Sequence, residues 1–439
     1  VAGYVKITLK NDDGFSVFRF IYSLIFLMAL PMALLNLYIK GRQYPAYRKR
    51  WKEHFSLFKS PRVNKTIWIH AVSVGESLVA VPIIKRLLSE YPDYAIVVTT
   101  TTPTGAERIQ SLLGESIIHL YSPYDLPWVV NRFIEKINPK LTIIMETELW
   151  PNFIHYSKKR KVPVVVVNAR LSARSADNYS RLPIPTNRLL IKPITHLACQ
   201  NKGDAERFIK LGAHEDKVSV TGSIKFDLRL PDNLDAKTQA IFKPWLDARP
   251  FIWVAGSTHV GEDEIVLSAH RLMLDAGINS KLIIVPRHPE RFDSVSELIE
   301  QRGFKLAKRS ESQSLSMSDE VFLCDSMGEL MYCYHASDVA FVGGSLIERG
   351  GHNPLEPAAL RKPVLSGKNI FNFDDVFKTM VESGGAKLIN EDNLHRVLID
   401  LSKDETLRKK MGKAGANVVE SNRGALSKTI KLLDKFLTK

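Results

Sequence analysis

Two glutamates stand where an apolar run gives way to a helical pattern, a place from which a carboxylate can take a proton from a bound hydroxyl. Glu76 lies in Trp68-Ile69-His70-Ala71-Val72-Ser73-Val74-Gly75-Glu76-Ser77, a strand-like run entering a turn formed by Ser73 and Gly75. Glu146 lies in Met145-Glu146-Thr147-Glu148-Leu149-Trp150-Pro151-Asn152, after the buried-type run Leu141-Thr142-Ile143-Ile144, and is expected beside Glu76. A first-turn acid also caps a helix and is favoured by its dipole, so Glu76 and Glu148 each have a purely structural reading. The same dipole predicts a low pKa for Glu76, leaving desolvation by substrate to make it an effective base. Asn168-Ala169-Arg170-Leu171-Ser172-Ala173-Arg174-Ser175 follows another strand end, where Arg170 and Arg174 suit phosphate on an acceptor.

The second half carries four further clusters at strand ends. Ser257, Thr258 and His259 follow Gly256 and make an anion cradle as the chain enters a helix. Pro286-Arg287-His288-Pro289 fences an arginine suited to bidentate contact with a carboxylate or phosphoryl group. Met327, Gly328 and Glu329 open another helix whose amides are placed for a phosphate or a base edge. Gly343-Gly344-Ser345 leads to Asn353-Pro354-Leu355-Glu356, with Pro354 at a first helical position and Glu356 placed to accept ribose hydroxyls. Each loop alone reads equally well as a turn; four at successive strand ends of one sheet point to a ligand.

The elements that must position these residues alternate. Strands are expected at Thr66–His70, Ala95–Thr99, Ser116–Leu120, Leu141–Met145, Val162–Val167 and Thr195–Ala198, with helices between them. A second set runs through Phe251–Ala255, Lys281–Val285, Val321–Cys324, Asp338–Phe341 and Pro363–Ser366. Short, uniformly apolar strands separated by helices predict parallel sheets covered on both faces, one spanning 41–222 and one spanning 251–439, with terminal helices packing back toward the first. Residues 223–250, rich in Asp, Pro and Lys, read as the connection, and the polar Arg309–Glu320 stretch as a loop outside the core. Two such sheets imply a cleft, with ligands outside the carboxyl ends of the strands.

Ahead of both, Phe20–Ile39 is twenty residues without a charge, matching the span of a bilayer's hydrocarbon if helical. Pro31, Ser23 and Asn36 weaken the run, so a helix lying in one leaflet stays open beside a full span, and 1–19 form a leader of unassigned role. From Lys40 to Lys65 nine cations face the single acid Glu53, so more than half of the chain's net charge of +14 is local. A solvated basic loop is the plain reading. Beside an apolar run it predicts contact with anionic headgroups and a cytoplasmic body. No element that reads nucleic acid accompanies the basic charge. There is no G-x-x-x-x-G-K-[S/T] and no G-x-G-x-x-G at a strand-to-helix turn, against a P-loop ATPase and a dinucleotide dehydrogenase. His259, His288 and His352 lack ligand spacing, so no metal or cofactor is expected, and Cys199, Cys324 and Cys333 read as reduced, buried thiols.

At these residues the chain resembles the 3-deoxy-D-manno-octulosonic acid (Kdo) transferases of Gram-negative bacteria. The likeness runs in order through Ser73–Ser77, Thr102–Gly105, Tyr124–Pro127, Met145–Asn152, Asn168–Ser172, Thr221-Gly222-Ser223-Ile224-Lys225-Phe226-Asp227, Pro286–Arg291, Met327–Leu330 and Phe341–Glu356. The resemblance implies an α/β protein of the glycosyltransferase B type, two Rossmann-like lobes facing a central cleft with an N-terminal membrane-associated helix. It further implies an inverting transfer of Kdo from CMP-Kdo to a lipid A precursor at the cytoplasmic face of the inner membrane. Carried over residue by residue, Glu76 becomes the base, Glu146 and Lys225 assist, and the donor lies near Pro286-Arg287, Met327–Glu329 and Asn353–Glu356. A nonenzymatic nucleotide- or phospholipid-binding protein is the alternative of a different class.

Overall fold

The computed structural model describes residues 17–43, 45–61, 63–311 and 315–437. Most of the leader read at 1–19 lies outside the described residues; 17–19 begin the first helix. The chain divides into two compact units, Val1–Ile224 with Gly424–Lys439, and Lys225–Arg423.

The first unit is a seven-stranded sheet of β1 (Thr66–His70), β2 (Ala95–Thr100), β3 (Ile118–Tyr121), β4 (Pro139–Met145), β5 (Val164–Ala169), β6 (His196–Cys199) and β7 (Val218–Val220). All pairings are parallel, in the order β3-β2-β1-β4-β5-β6-β7. Runs such as Val164–Val167 are buried throughout because helices cover both faces of the sheet. Strand order reverses between β1 and β4, where His70 sits level with Ile144, and this opens a crevice beyond their carboxyl ends. The final helix, Ala425–Leu437, belongs to this unit: its Ile430 and Leu433 share a core with Ile69, Ile84 and Ile143. Tyr91 also donates to Asp434 at 2.5 Å.

A helix over Val17–Gln43 extends past both ends of the apolar run and keeps Pro31 inside it. Phe26, Leu30 and Leu34 pack on Leu126, Val129, Phe55 and Tyr124. Beside them Asn152 Nδ2 donates to Ser23 Oγ at 3.0 Å, and the Tyr22 hydroxyl bonds Asp125. Most of its other apolar side chains, including Ile25, Met28 and Met32, are exposed. Among the described residues it is the one helix long and apolar enough to cross a membrane, with a mean hydropathy of 2.1 over its most apolar window.

The second unit repeats the plan with β8 (Phe251–Thr258), β9 (Ser280–Pro286), β10 (Leu306–Lys308), β11 (Val321–Leu323), β12 (Val339–Val342), β13 (Val364–Ser366) and β14 (Ala386–Leu388), ordered β10-β11-β9-β8-β12-β13-β14. Its reversal falls between β8 and β12. Residues 223–250 are more than a connection, since Leu234–Ala248 is a helix whose Phe242 and Trp245 are fully buried in the second unit. The polar Arg309–Glu320 stretch is not wholly outside the core either. Leu315 is buried with Trp245, whose Nε1 donates to Ser316 O at 2.9 Å, and an isolated leucine in a serine-rich run gives no periodicity to announce this.

Candidate active site

In the first unit the crevice at the β1/β4 reversal gathers three acids. Ser73 caps the Val74–Glu90 helix: its Oγ accepts the Glu76 N–H at 3.2 Å and donates to Glu76 Oε1 at 2.8 Å, while the Val72 N–H reaches Oε2 at 2.7 Å. This is a relative of the capping box, with Glu76 reaching the cap's hydroxyl and the N–H of the residue before it, so the structural reading of Glu76 is present in the geometry. Burial nevertheless pushes the Glu76 carboxyl up to about 7, against those two hydrogen bonds and helped by Glu148 and Glu146. The low pKa expected from the helix dipole is therefore corrected: at 8% exposure, loss of hydration outweighs it. Gly75 and Ser73 are exposed beside it, and a Cβ at Gly75 would meet nothing closer than Ser73 Oγ at 3.8 Å.

Glu146 follows β4 with φ +54°, held by its N–H to Val167 O at 3.0 Å. Glu148 does not cap the helix Pro151–Lys159. Asp125 does, accepting from the Asn152 and Phe153 N–H groups at 3.0 and 2.8 Å, while Glu148 takes the Trp150 indole N–H at 3.1 Å. Asn168, at the end of β5 with φ +52° and fully buried, was named in the sequence only as part of a motif. Its Nδ2 stands 3.5 Å from Glu146 Oε1 and its Oδ1 accepts the Ile224 N–H at 3.1 Å. Two non-glycine residues in the left-handed region at neighbouring strand ends are uncommon and mark a site whose backbone is held by its surroundings. Arg170 is half-buried and Arg174 is exposed in the first turn of the Ala173–Ser180 helix. Lys225 begins the second unit, its Nζ 5.4 Å above the ring of Phe373.

In the second unit Ser257 also takes φ +59°, and the buried Thr258 donates to Asp263 Oδ1 at 2.6 Å. Asp263 pairs with Arg291, which also donates to Thr258 O at 2.7 Å. Glu262 is fully buried and accepts four backbone N–H groups: His259 at 3.1 Å and Gly344 at 2.7 Å on Oε2, Ser345 at 3.0 Å and Leu346 at 3.1 Å on Oε1. That brace lets the β12 loop lie against β8 so closely that a Cβ at Gly343 would stand 2.5 Å from Ser257 O. Sequence reasoning missed Glu262, Asp263 and Arg291 as site builders; acids at a helix start look like ordinary caps until their partners are seen. Pro286 ends β9, the Arg287 N–H donates to Thr258 O at 3.0 Å, and His288 is exposed.

Met327 and Gly328 are exposed, ahead of a helix that starts only at Leu330. Burial alone would raise Glu329, but Ser326, Lys237 at 2.9 Å and Arg309 at 2.8 Å hold it at about 2. Asn353 Oδ1 accepts the Leu355 N–H at 3.1 Å and its Nδ2 donates to Glu356 at 3.3 Å; Pro354 stands just before the Leu355–Ala359 helix. Burial raises the Glu356 carboxyl. Among the described residues no three His, Cys, Asp or Glu side chains gather as a metal site, and all three cysteines are buried thiols.

Two parallel sheets of this order, each with its candidate residues at the reversal, define a two-unit α/β protein of the glycosyltransferase B type. Residues 253–418 match the profile of the group 1 glycosyl transferases. The UDP-GlcNAc 2-epimerase of Neisseria meningitidis shares the fold at a TM-score of 0.56 and 16% identity, over 85% of this chain and 100% of its own. Residues 49–228 match the 3-deoxy-D-manno-octulosonic-acid transferase (kdotransferase) profile. The chain is 42% identical to the 3-deoxy-D-manno-octulosonic acid transferase of Haemophilus influenzae over 425 residues, 96% of this chain and 99% of that protein. The corresponding protein of Bordetella pertussis is 31% identical over 84% of this chain and 87% of its own length. The chain belongs to the 3-deoxy-D-manno-octulosonic acid transferase family.

Proposed function

We propose that this chain transfers Kdo from CMP-Kdo to a lipid A precursor such as lipid IVA, with inversion at the anomeric carbon and Glu76 as the general base. The observation that carries the reading is Glu76 itself: a carboxylate at the β1/β4 reversal, buried enough to titrate at about 7, in a chain of this family. A base poised near neutral pH takes a proton most effectively at the pH where the cell works. In the reaction, a lipid sugar hydroxyl gives its proton to the Glu76 carboxylate as its oxygen bonds to the anomeric carbon. The bond from that carbon to the CMP phosphate breaks on the opposite face and the electron pair leaves with CMP. Positioning and electrostatics lower the barrier, with no covalent enzyme intermediate. Glu146 and Lys225 are assigned to assist, Ser73, Gly75, Arg170 and Arg174 to the acceptor side, and Ser257–His259, Pro286–His288, Met327–Glu329 and Asn353–Glu356 to the donor.

The test offers purified protein CMP-Kdo with a lipid A precursor. Acceptor-dependent CMP release with a matching mass gain on the lipid is expected; binding without turnover would favour a nonenzymatic binding protein, and consumption of another nucleotide sugar alone would overturn the donor. The apolar Val17–Gln43 helix and the basic 40–65 stretch support a reading in which the protein works at the cytoplasmic face of the inner membrane, on anionic lipid. Removing residues 1–40 is expected to shift it toward the soluble fraction, and an unchanged partition would overturn that placement.

A further inference from the structure

One contact in the second unit has no part in the reaction as drawn. His259, just past β8, and His352, in the loop after β12, lie edge to edge with ring centroids 5.1 Å apart and planes 8° from parallel. Their Nε2 atoms are 2.8 Å apart. A hydrogen bond between two imidazole nitrogens needs one N–H and one lone pair, so two neutral rings share a single proton on their facing edge. The fold makes room for the pair: Gly344 has φ +69°, and a Cβ there would lie 3.0 Å from His352 Cδ2. The His352 N–H donates to Gly343 O at 3.1 Å, which fixes the ring's starting point.

The surroundings are cationic. His288 stands edge-on to His259 at 5.3 Å. Burial first, then His288, Arg291, Arg349 and Arg287, hold the His259 imidazole at about 4, and burial with His259, Arg287 and His288 does the same for His352. The nearby acids are already committed, Glu262 to four backbone N–H groups and Asp263 to Thr258 and Arg291. Glu290 stands 3.9 Å from His288 on the exposed side and Glu356 acts on Arg287, while the half-buried rings themselves face each other among cations, a setting that draws an oxyanion.

We propose that an oxyanion of the donor opens the His259–His352 contact and that the pair takes up one proton from solvent in doing so, each ring then presenting an Nε2–H to the anion. This rests on the reading of the second unit as the donor side. No covalent bond changes: the facing edge holds one proton before and two after, and the anion's charge offsets the field that kept the second proton away. The donor offers two such groups, the phosphate joining nucleoside to sugar and the sugar's own carboxylate.

Calorimetric titration of the full chain with CMP and with CMP-Kdo, each in two buffers of different ionisation enthalpy, counts the protons. Uptake approaching one proton near pH 6 is expected, with affinity falling toward the limit of about tenfold per pH unit that one linked proton sets. Uptake with CMP that exceeds the exchange of its own phosphate, whose second pKa is about 6, and that both histidine variants lose assigns the phosphate; uptake with CMP-Kdo alone assigns the carboxylate. His352→Phe keeps an aromatic ring without a titrating nitrogen, and His352→Gln keeps a donor that does not titrate. Both are expected to lose the uptake and flatten the pH dependence while unfolding near the wild-type temperature. Binding by the wild type without uptake, which a change of tautomer would give, overturns the proposal, as does uptake that survives in both variants. Failure of the wild type to bind either compound would instead remove the donor reading, and this proposal with it.

Discussion

Glu76 and Glu262 occupy similar places at the start of the helix that follows the first strand of each unit's sheet, Glu76 in the first turn and Glu262 just ahead of it, each buried and each raised above an ordinary carboxyl by that burial. They differ in what their oxygens are doing. A carboxylate has about four lone-pair sites. Glu262 spends all four on the N–H groups of His259, Gly344, Ser345 and Leu346, whereas Glu76 spends two, on Val72 and Ser73. One sheet plan thus yields a carboxylate fully committed to backbone donors in the second unit and one with lone pairs left over in the first. The neighbours follow suit, with Glu146 and Glu148 acting on Glu76, and arginines and histidines gathered around the loops that Glu262 ties together.

The sharpest way to break this comparison is to remove each carboxylate's charge. Glu76→Gln keeps the shape and loses the ability to take a proton, so transfer should fall about 10²- to 10⁴-fold. CMP binding and thermal unfolding should stay close to wild type, because a lost cap costs only about 0.5–2 kcal/mol. Near-normal turnover would return Glu76 to its capping role and make Glu146 the next candidate. Glu262→Ala should behave in the opposite manner. It leaves four backbone donors without their acceptor, at about 1–3 kcal/mol for each that stays buried and unpaired, so a loss of several kcal/mol in unfolding, with CMP binding lost, is expected. A Glu262→Ala protein of wild-type stability would show that the brace is not what holds the β12 loop.

The pH profile distinguishes the two in a milder way. Glu76 titrates at about 7 in the folded chain against an ordinary 4.5, so its folded form binds the proton more tightly than the unfolded chain does. Its favourable contribution to stability is present below about 4.5 and is lost as pH rises to about 7. The ionised base accumulates over the upper part of the same range. Transfer should therefore climb roughly tenfold per unit below pH 7 and level off above it, as stability declines. Rates and unfolding measured across pH 5 to 9 check this, and in Glu76→Gln both slopes should flatten. A rate independent of pH through 7 would remove the raised carboxyl from the mechanism.

Much of this was legible in the residues. Uniformly β-branched runs such as Val164–Val167 announced parallel strands, and the Ser73/Glu76 spacing announced a helix start with an acid at it. Three-residue edge strands, β7, β10 and β14, went unread because so short a run leaves no period. The helix at Leu234–Ala248 hid behind Pro244, Asp and Lys on its exposed face, although Phe242 and Trp245 carry the burial. The pKa of Glu76 was read in the wrong direction, since local spacing reports the helix dipole but not how much protein lies over the side chain. Asn168 was legible only as a letter in a motif, because its role depends on three strand ends meeting.

That residue supplies the smallest test of the comparison. If the first unit's crevice is an arrangement of acids kept at working geometry, then Asn168 is its positioning residue, with an amide that faces Glu146 on one side and holds the Ile224 N–H on the other. Asn168→Asp keeps the size and the acceptor for Ile224, so the fold should survive, but it turns a donor toward Glu146 into a like charge. At 3.5 Å the original contact is at the long end for a hydrogen bond, and the loss of it alone is modest. The expected result is a fall in transfer of about three- to tenfold, with the pH at which the rate levels off moved upward, because another negative charge among these acids makes Glu76 harder to ionise. Asn168→Ala removes the donor and the Ile224 acceptor together and should cost about 1–3 kcal/mol of stability, with no upward shift in the profile. A purely structural residue would show the stability loss in both variants and the pH shift in neither, and that outcome would detach Asn168 from the acids it faces.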